Sequence, residues 1–146
     1  MSINEQLCIN TVICGSFRKH LPEIVLLKKL LEEKSIGVLS PGGSSAINPS
    51  EEFILLDSDP IDNPKLLQDS VFAKIRRSTF IIIANIDGYL GKAALMEIGY
   101  AIAQGIDVYT IEPINDPNLR SYCQLISHVF PDVLSKFHYY RGTVSI

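Results

Sequence analysis

The chain has 146 residues, 47% hydrophobic and 20% charged, which excludes a disordered chain and suffices for one domain, 1–146, with a sizeable core. A net charge of −3 and a sequence pI of about 5.5 argue against a large nucleic-acid surface, so no polymeric nucleic acid is expected as a partner. The apolar runs are too short to span a bilayer and the first residues lack a signal-peptide pattern, so no membrane association is expected; Cys8, Cys14 and Cys123, an odd set without metal spacing, fit a reducing cytoplasm.

Leu7 to Cys14 reads as a buried strand, closed by the turn Gly15-Ser16-Phe17-Arg18-Lys19. A helix is predicted from Leu21 to Lys34, because Ile24, Leu27, Leu30 and Leu31 recur at three and four residues. Pro22 fits its first turn, where a missing N–H costs nothing. Gly37 to Pro41 reads as a second strand. Residues 42–52 form a loop long enough for a lid or a binding loop. Phe53 to Asp57 reads as a short strand or an extended arm, and Ser58 to Asn63 as a turn. The next helix runs from Pro64 to Arg77, with Leu66, Leu67, Val71, Phe72 and Ile75 on its apolar side. Thr79 to Ile86 is continuously apolar, as in a strand covered on both faces. A helix follows Gly91 and runs to Gln104, with Gly105 as its stop. Asp107 to Ile111 is a strand, and Leu119 to Ser127 and Asp132 to Tyr140 are predicted helical. Strands alternating with helices imply a parallel sheet with helices on both faces. Ligands of such folds bind at the C-terminal edges of the strands, near a switch point. That gathers Gly15–Lys19, Pro41–Ser45, Asn85–Gly91 and Glu112–Asn115 around one cleft.

Glu97 is the one carboxylate on a helix of small and apolar residues. Ala93, Ala94, Tyr100 and Ala101 share its face, while Leu95, Ile98 and Ile102 form the stripe expected to pack on the sheet. An ionised carboxylate there is costly unless something pairs with it or uses it. Glu97 is therefore a candidate catalytic group; the alternative is a glutamate favoured by the helix dipole. The Gly15–Lys19 turn exposes N–H groups to an anion, with Ser16 as donor and Arg18 or Lys19 as phosphate partner; the alternative is an ordinary turn with solvated bases. Pro41-Gly42-Gly43-Ser44-Ser45 either admits a close ligand or is a surface loop. His20, His128 and His138 are scattered, so no metal site is expected. Among the nearby acids, Asp57, Asp59 and Asp69 could reach the cleft.

Cys14-Gly15-Ser16-Phe17-Arg18, followed by a strand, then Gly88-Tyr89-Leu90-Gly91, then a helix with Glu97-Ile98-Gly99-Tyr100-Ala101, resembles the nucleoside 2-deoxyribosyltransferase superfamily. That group includes 2'-deoxynucleoside 5'-phosphate N-hydrolases, and the resemblance extends to about Pro113. It implies a flavodoxin-like (Rossmann-like) three-layer α/β fold with a parallel five-stranded sheet. It also implies a small-molecule nucleoside or nucleotide partner, no cofactor, no metal, and a homodimer or higher homo-oligomer. By the resemblance Glu97 attacks C1' and forms a sugar ester, which another base or water then resolves. Ser16 and Arg18, with Gly15 and Phe17 in the same turn, would position the 5' end or phosphate. Gly88 and Gly91 would admit the sugar, and Tyr89 would stack on the base or close the pocket, the alternative being a surface aromatic.

Three positions depart from the family pattern. Gly91 stands where the family has an aspartate or a serine, and Ala93-Ala94 replaces a Gly-Thr pair. The position of an assisting helix acid falls on Val71, which makes Asp69, the nearest acid, the second catalytic candidate. Those departures motivate an alternative reading, a weak or inactive nucleotide-binding or sensing module. A third, a flavodoxin-like electron carrier, is opposed by the lack of tryptophan and of an evident flavin loop.

Overall fold

The computed structural model describes residues 9–42 and 63–144. Leu7 and Cys8, the loop from Gly43 onward, the Phe53–Asp57 segment and the acids Asp57 and Asp59 lie outside the described residues. The elements in chain order are β1 (Asn10–Cys14), α1 (Phe17–Glu33), β2 (Gly37–Ser40), α2 (Pro64–Arg76) and β3 (Phe80–Ile83). They continue with α3 (Lys92–Ala103), β4 (Asp107–Thr110), α4 (Pro117–Arg120), β5 (Cys123–Leu125) and α5 (Pro131–Val144). The five strands form one sheet in the order β2-β1-β3-β4-β5, and every pair is parallel. This is the flavodoxin-like three-layer α/β architecture.

The side-chain alternation of the inner strands sets the layers. Ile13 and Ile82 point into a core shared with Ile24, Leu27 and Leu31 of α1 and Val133 and Phe137 of α5. Val12, Cys14, Ile81 and Ile83 point to the opposite face, against Ile75 of α2 and Ile98 and Ala101 of α3. All four residues of β3, the central strand, are buried, which explains why its sequence shows no polar alternation. Each of these fully buried isoleucines contributes about 1.5–3 kcal/mol relative to an exposed one.

Helix ends follow local chemistry. Ser16 caps α1 by accepting from Lys19 N at 3.2 Å. His20 breaks the helical dihedrals (φ −135°, ψ 27°), so Pro22 begins the regular part of α1, as the periodicity from Leu21 predicts. Asn63 caps α2 and Pro64 occupies its first position. Gly105 adopts φ +71° just beyond α3.

Three expectations are corrected. Leu119–Ser127 is not one helix: α4 spans only Pro117–Arg120, and β5 follows. The open edge of β4 offers unpaired backbone groups, and Cys123 and Leu125 pair there with Val108 and Thr110. Leu95 is 43% exposed, and the residues that α3 packs on the sheet include Ile98 and Ala101. An alanine lets the helix approach the sheet more closely than a leucine would. Leu66, expected on the apolar side of α2, is 51% exposed. Among the described residues no helix is long and apolar enough to cross a membrane.

Candidate active site

Strand order reverses between β1 and β3. The chain leaves β1 towards β2 on one side and leaves β3 towards β4 on the other, so the two exits diverge and open a crevice. Cys14 and Ile83 end these strands side by side, and Ala84 N donates to the Cys14 carbonyl at 2.7 Å. The exit from β1 is tightly packed. A side chain at Gly15 would meet Ile24 Cδ1 at 3.0 Å and the Ala84 carbonyl oxygen at 3.2 Å.

Glu97 lies in the second turn of α3 and is only 7% exposed. Gln68 Nε2, from α2, donates to Glu97 Oε2 at 2.7 Å. The Cys14 thiol, at the end of β1, faces the same carboxylate. Three elements therefore converge on this one acid. Burial holds the Glu97 carboxyl above its ordinary range, although the Gln68 amide and the Cys14 thiol pull it part of the way back. The Cys14 thiol is pushed well above its ordinary value, first by burial and then by the neighbouring carboxylate. It is held as an S–H donor, not as a thiolate nucleophile.

Asp69 does not share this arrangement. Its carboxylate is exposed and lies 2.7 Å from Lys65 Nζ, one turn earlier on α2. Successive helical residues are rotated by about 100°, so Gln68 and Asp69 face different ways. The side chain of α2 that meets Glu97 is the amide.

The two loops at the crevice meet through Tyr89. Asp87 (φ +56°) and Gly88 (φ +79°) turn the chain after β3, and Tyr89 emerges 37% exposed. Lys19 Nζ sits 4.2 Å from the centre of the Tyr89 ring, and the His20 ring is edge-on to it at 6.2 Å. His20 Nδ1 is buried with no hydrogen-bond partner among the described residues. Arg18 is exposed on the same turn, whereas Phe17 packs against the core. Gly91 is the N-cap residue of α3 and supplies no side-chain bond to it.

Sequence reasoning missed Gln68, the Cys14 contact and a polar network beneath the β3 exit. In that network Asn85 bonds the backbone of Ile111 and Glu112, Glu112 accepts from Asp87 N, and Arg141 of α5 pairs with Asp87. Gln68 had a readable signal, since it precedes Phe72 by four residues and so shares a face already expected to be buried. Among the described residues no group of three or more His, Cys, Asp or Glu side chains is placed to hold a metal ion.

No family model matches the chain, and no curated protein matches it in sequence. Its fold is similar to that of a solved structure, the Clostridium botulinum CMP N-glycosidase BcmB. The TM-score is 0.57, with 16% identity over 90% of this chain and 98% of that one. At this identity the likeness establishes a common fold.

Proposed function

We propose that this protein breaks or transfers the N-glycosidic bond of a nucleoside or nucleoside 5'-monophosphate, with Glu97 as the nucleophile. The observation that carries this reading is a buried carboxylate held by Gln68 and Cys14 beside the exits of β1 and β3. The CMP N-glycosidase activity of the neighbour with the same fold supports it. Glu97 attacks C1', the C1'–N bond breaks, and the base leaves with the bonding pair and takes up a proton. Water then adds to C1', the ester bond breaks, a proton is released and the Glu97 carboxylate returns. In the transfer reaction a second base replaces water.

In this proposal Ser16, Arg18 and the free N–H groups at the start of α1 receive the 5' end or its phosphate. Gly15 and Phe17 hold that turn in place. Gly88 and Gly91 leave room for the sugar, and Tyr89 stacks on the base. The Gln68 amide, standing where a helix acid was expected, favours one second reading, a nucleotide-binding module without turnover. A panel of nucleosides, nucleotides and acceptor bases read by mass spectrometry decides between them. Base release or exchange, with a sugar adduct on Glu97, is expected. Tight binding with no product would favour the module, and neither binding nor product would sink both readings.

The proposed assembly is a homo-oligomer. Next to Glu97, α3 turns Leu95 and Met96 to solvent, at 43% and 53% exposure. If that face joins a second copy, Met96→Lys shifts the protein to monomer in size-exclusion chromatography with light scattering. An unchanged mass would place the contact elsewhere.

A further inference from the structure

The contacts between α2 and α3 are ordered along one stripe. Gln68, Phe72 and Arg76 recur at four-residue spacing and so lie on one face of α2. Gln68 bonds Glu97, the Phe72 ring packs on Tyr100 at 4.6 Å between centroids, and Arg76 Nη1 donates to the Tyr100 hydroxyl at 2.6 Å. Tyr100 follows Glu97 by three residues on α3. The bond to Glu97 is thus the top rung of a ladder that fixes how α2 lies on α3. The second donor comes from an equally constrained place. Cys14 is 2% exposed, its carbonyl is bonded to Ala84 N, and the residue after it has no space for a side chain.

We propose that Gln68 and Cys14 are paired positioning residues for Glu97: two neutral polar groups on separate rigid elements that fix where its carboxylate lies beside the crevice. The inference deepens the reading of Glu97 as nucleophile and rests on it for its functional meaning. Its physical basis is independent of any substrate. A carboxylate removed from water needs donors in place of its hydration, and donors that carry no charge can supply them without a competing ion pair. A lysine or arginine partner would hold the acid more strongly and blunt its attack on an anomeric carbon. A second acid would share a proton with it. An amide and a thiol do neither, and the raised proton affinity of Cys14 keeps its hydrogen in place across the neutral range.

The test is a titration of Glu97 in the full chain by NMR of carboxyl-labelled glutamate, with the resonance assigned by its loss in Glu97→Gln. The protonation midpoint is expected to rise in Gln68→Leu and in Cys14→Ala. In Cys14→Ser, which restores a donor of similar size, it should return towards the parent value. Gln68→Asn, one methylene short of the carboxylate, serves where the leucine variant misfolds. A midpoint that stays put in either donor-deleting variant, with the near-UV circular dichroism intact, overturns the proposal. A merely structural role would lower stability and leave the midpoint alone. Where turnover is present, each donor deletion should lower kcat/KM roughly tenfold and move the acid limb of the pH profile upward. If the parent protein releases no base, the reaction assigned to Glu97 falls, while the titration still decides whether Gln68 and Cys14 hold it.

Discussion

Glu97→Gln removes base release and, at neutral pH, makes the protein more stable. The first effect follows from the proposed chemistry. An amide is too weak a nucleophile to form the sugar ester, so kcat/KM should fall by at least about a thousandfold. The size and shape of the side chain are kept, and the glutamine oxygen can still accept from Gln68. Loss of activity in a folded variant would therefore report the carboxylate itself. Activity within tenfold of the parent would remove Glu97 from the reaction.

The second effect follows from the sign of the Glu97 shift. Burial raises its folded-state pKa, so the native state binds this proton more tightly than the unfolded chain does. The group's favourable contribution is fully present below the ordinary carboxylate pKa and is lost as pH rises through the raised value. Above that raised value the parent protein carries an ionised carboxylate whose burial opposes folding, whereas the glutamine variant does not. The variant should melt higher by about 1 kcal/mol, or roughly 3 °C. The gap should close on acidification, once the carboxyl is protonated in both folded and unfolded chains. A melting point at neutral pH equal to or below the parent's would show that Gln68 and Cys14 more than compensate the burial. Activity lost together with stability gained would mark Glu97 as a residue kept for chemistry rather than for the fold.

Much of this arrangement could be read from the chain, and the parts that could not share a physical cause. Ile81 to Ile83 with the Gly91-to-Gln104 pattern announced a buried strand and its helix, because local period and end signals agreed. Glu97 stood out as a charge where the pattern wanted none. Cys123–Leu125 did not stand out as a strand, since a three-residue edge strand is held by its neighbour β4 and not by its own sequence. The same holds for the partners of Glu97. Cys14 and Glu97 are 83 positions apart, and only the strand order brings them together. Asp69 was the nearest acid in sequence, but helical rotation gives the inward position to Gln68 and leaves Asp69 with Lys65.

Asn85→Ala should be among the most destabilising single changes outside the apolar core. Asn85 is 1% exposed and ties the exit of β3 to the exit of β4. Its Oδ1 accepts from Ile111 N at 3.1 Å and Glu112 N at 3.0 Å, and its Nδ2 donates to the Glu112 carbonyl at 2.9 Å. Alanine leaves the Glu112 amide without that acceptor, while Ile111 N keeps the Ile83 carbonyl at 3.1 Å and Thr110 Oγ1 still donates to the Glu112 carbonyl at 2.8 Å. One buried amide deprived of its partner, with the lost Asn85 bonds, costs about 2 kcal/mol, a fall in Tm of roughly 4–8 °C. Asn85→Leu, which restores volume and no hydrogen bond, should fall about as far and so exclude a cavity as the cause. The loop above depends on the same tie, because Glu112 Oε2 accepts from Asp87 N at 2.6 Å and so supports the left-handed turn that presents Tyr89. Amide exchange at Asp87, Gly88 and Tyr89 should therefore quicken in Asn85→Ala well before global unfolding. Glu97 itself remains anchored through Ile98 and the α2 ladder, so the variant should lose substrate affinity more than kcat. A Tm within one or two degrees of the parent, about what a surface substitution gives, would mean that water or another group satisfies the Glu112 amide and that the β3 exit does not depend on Asn85.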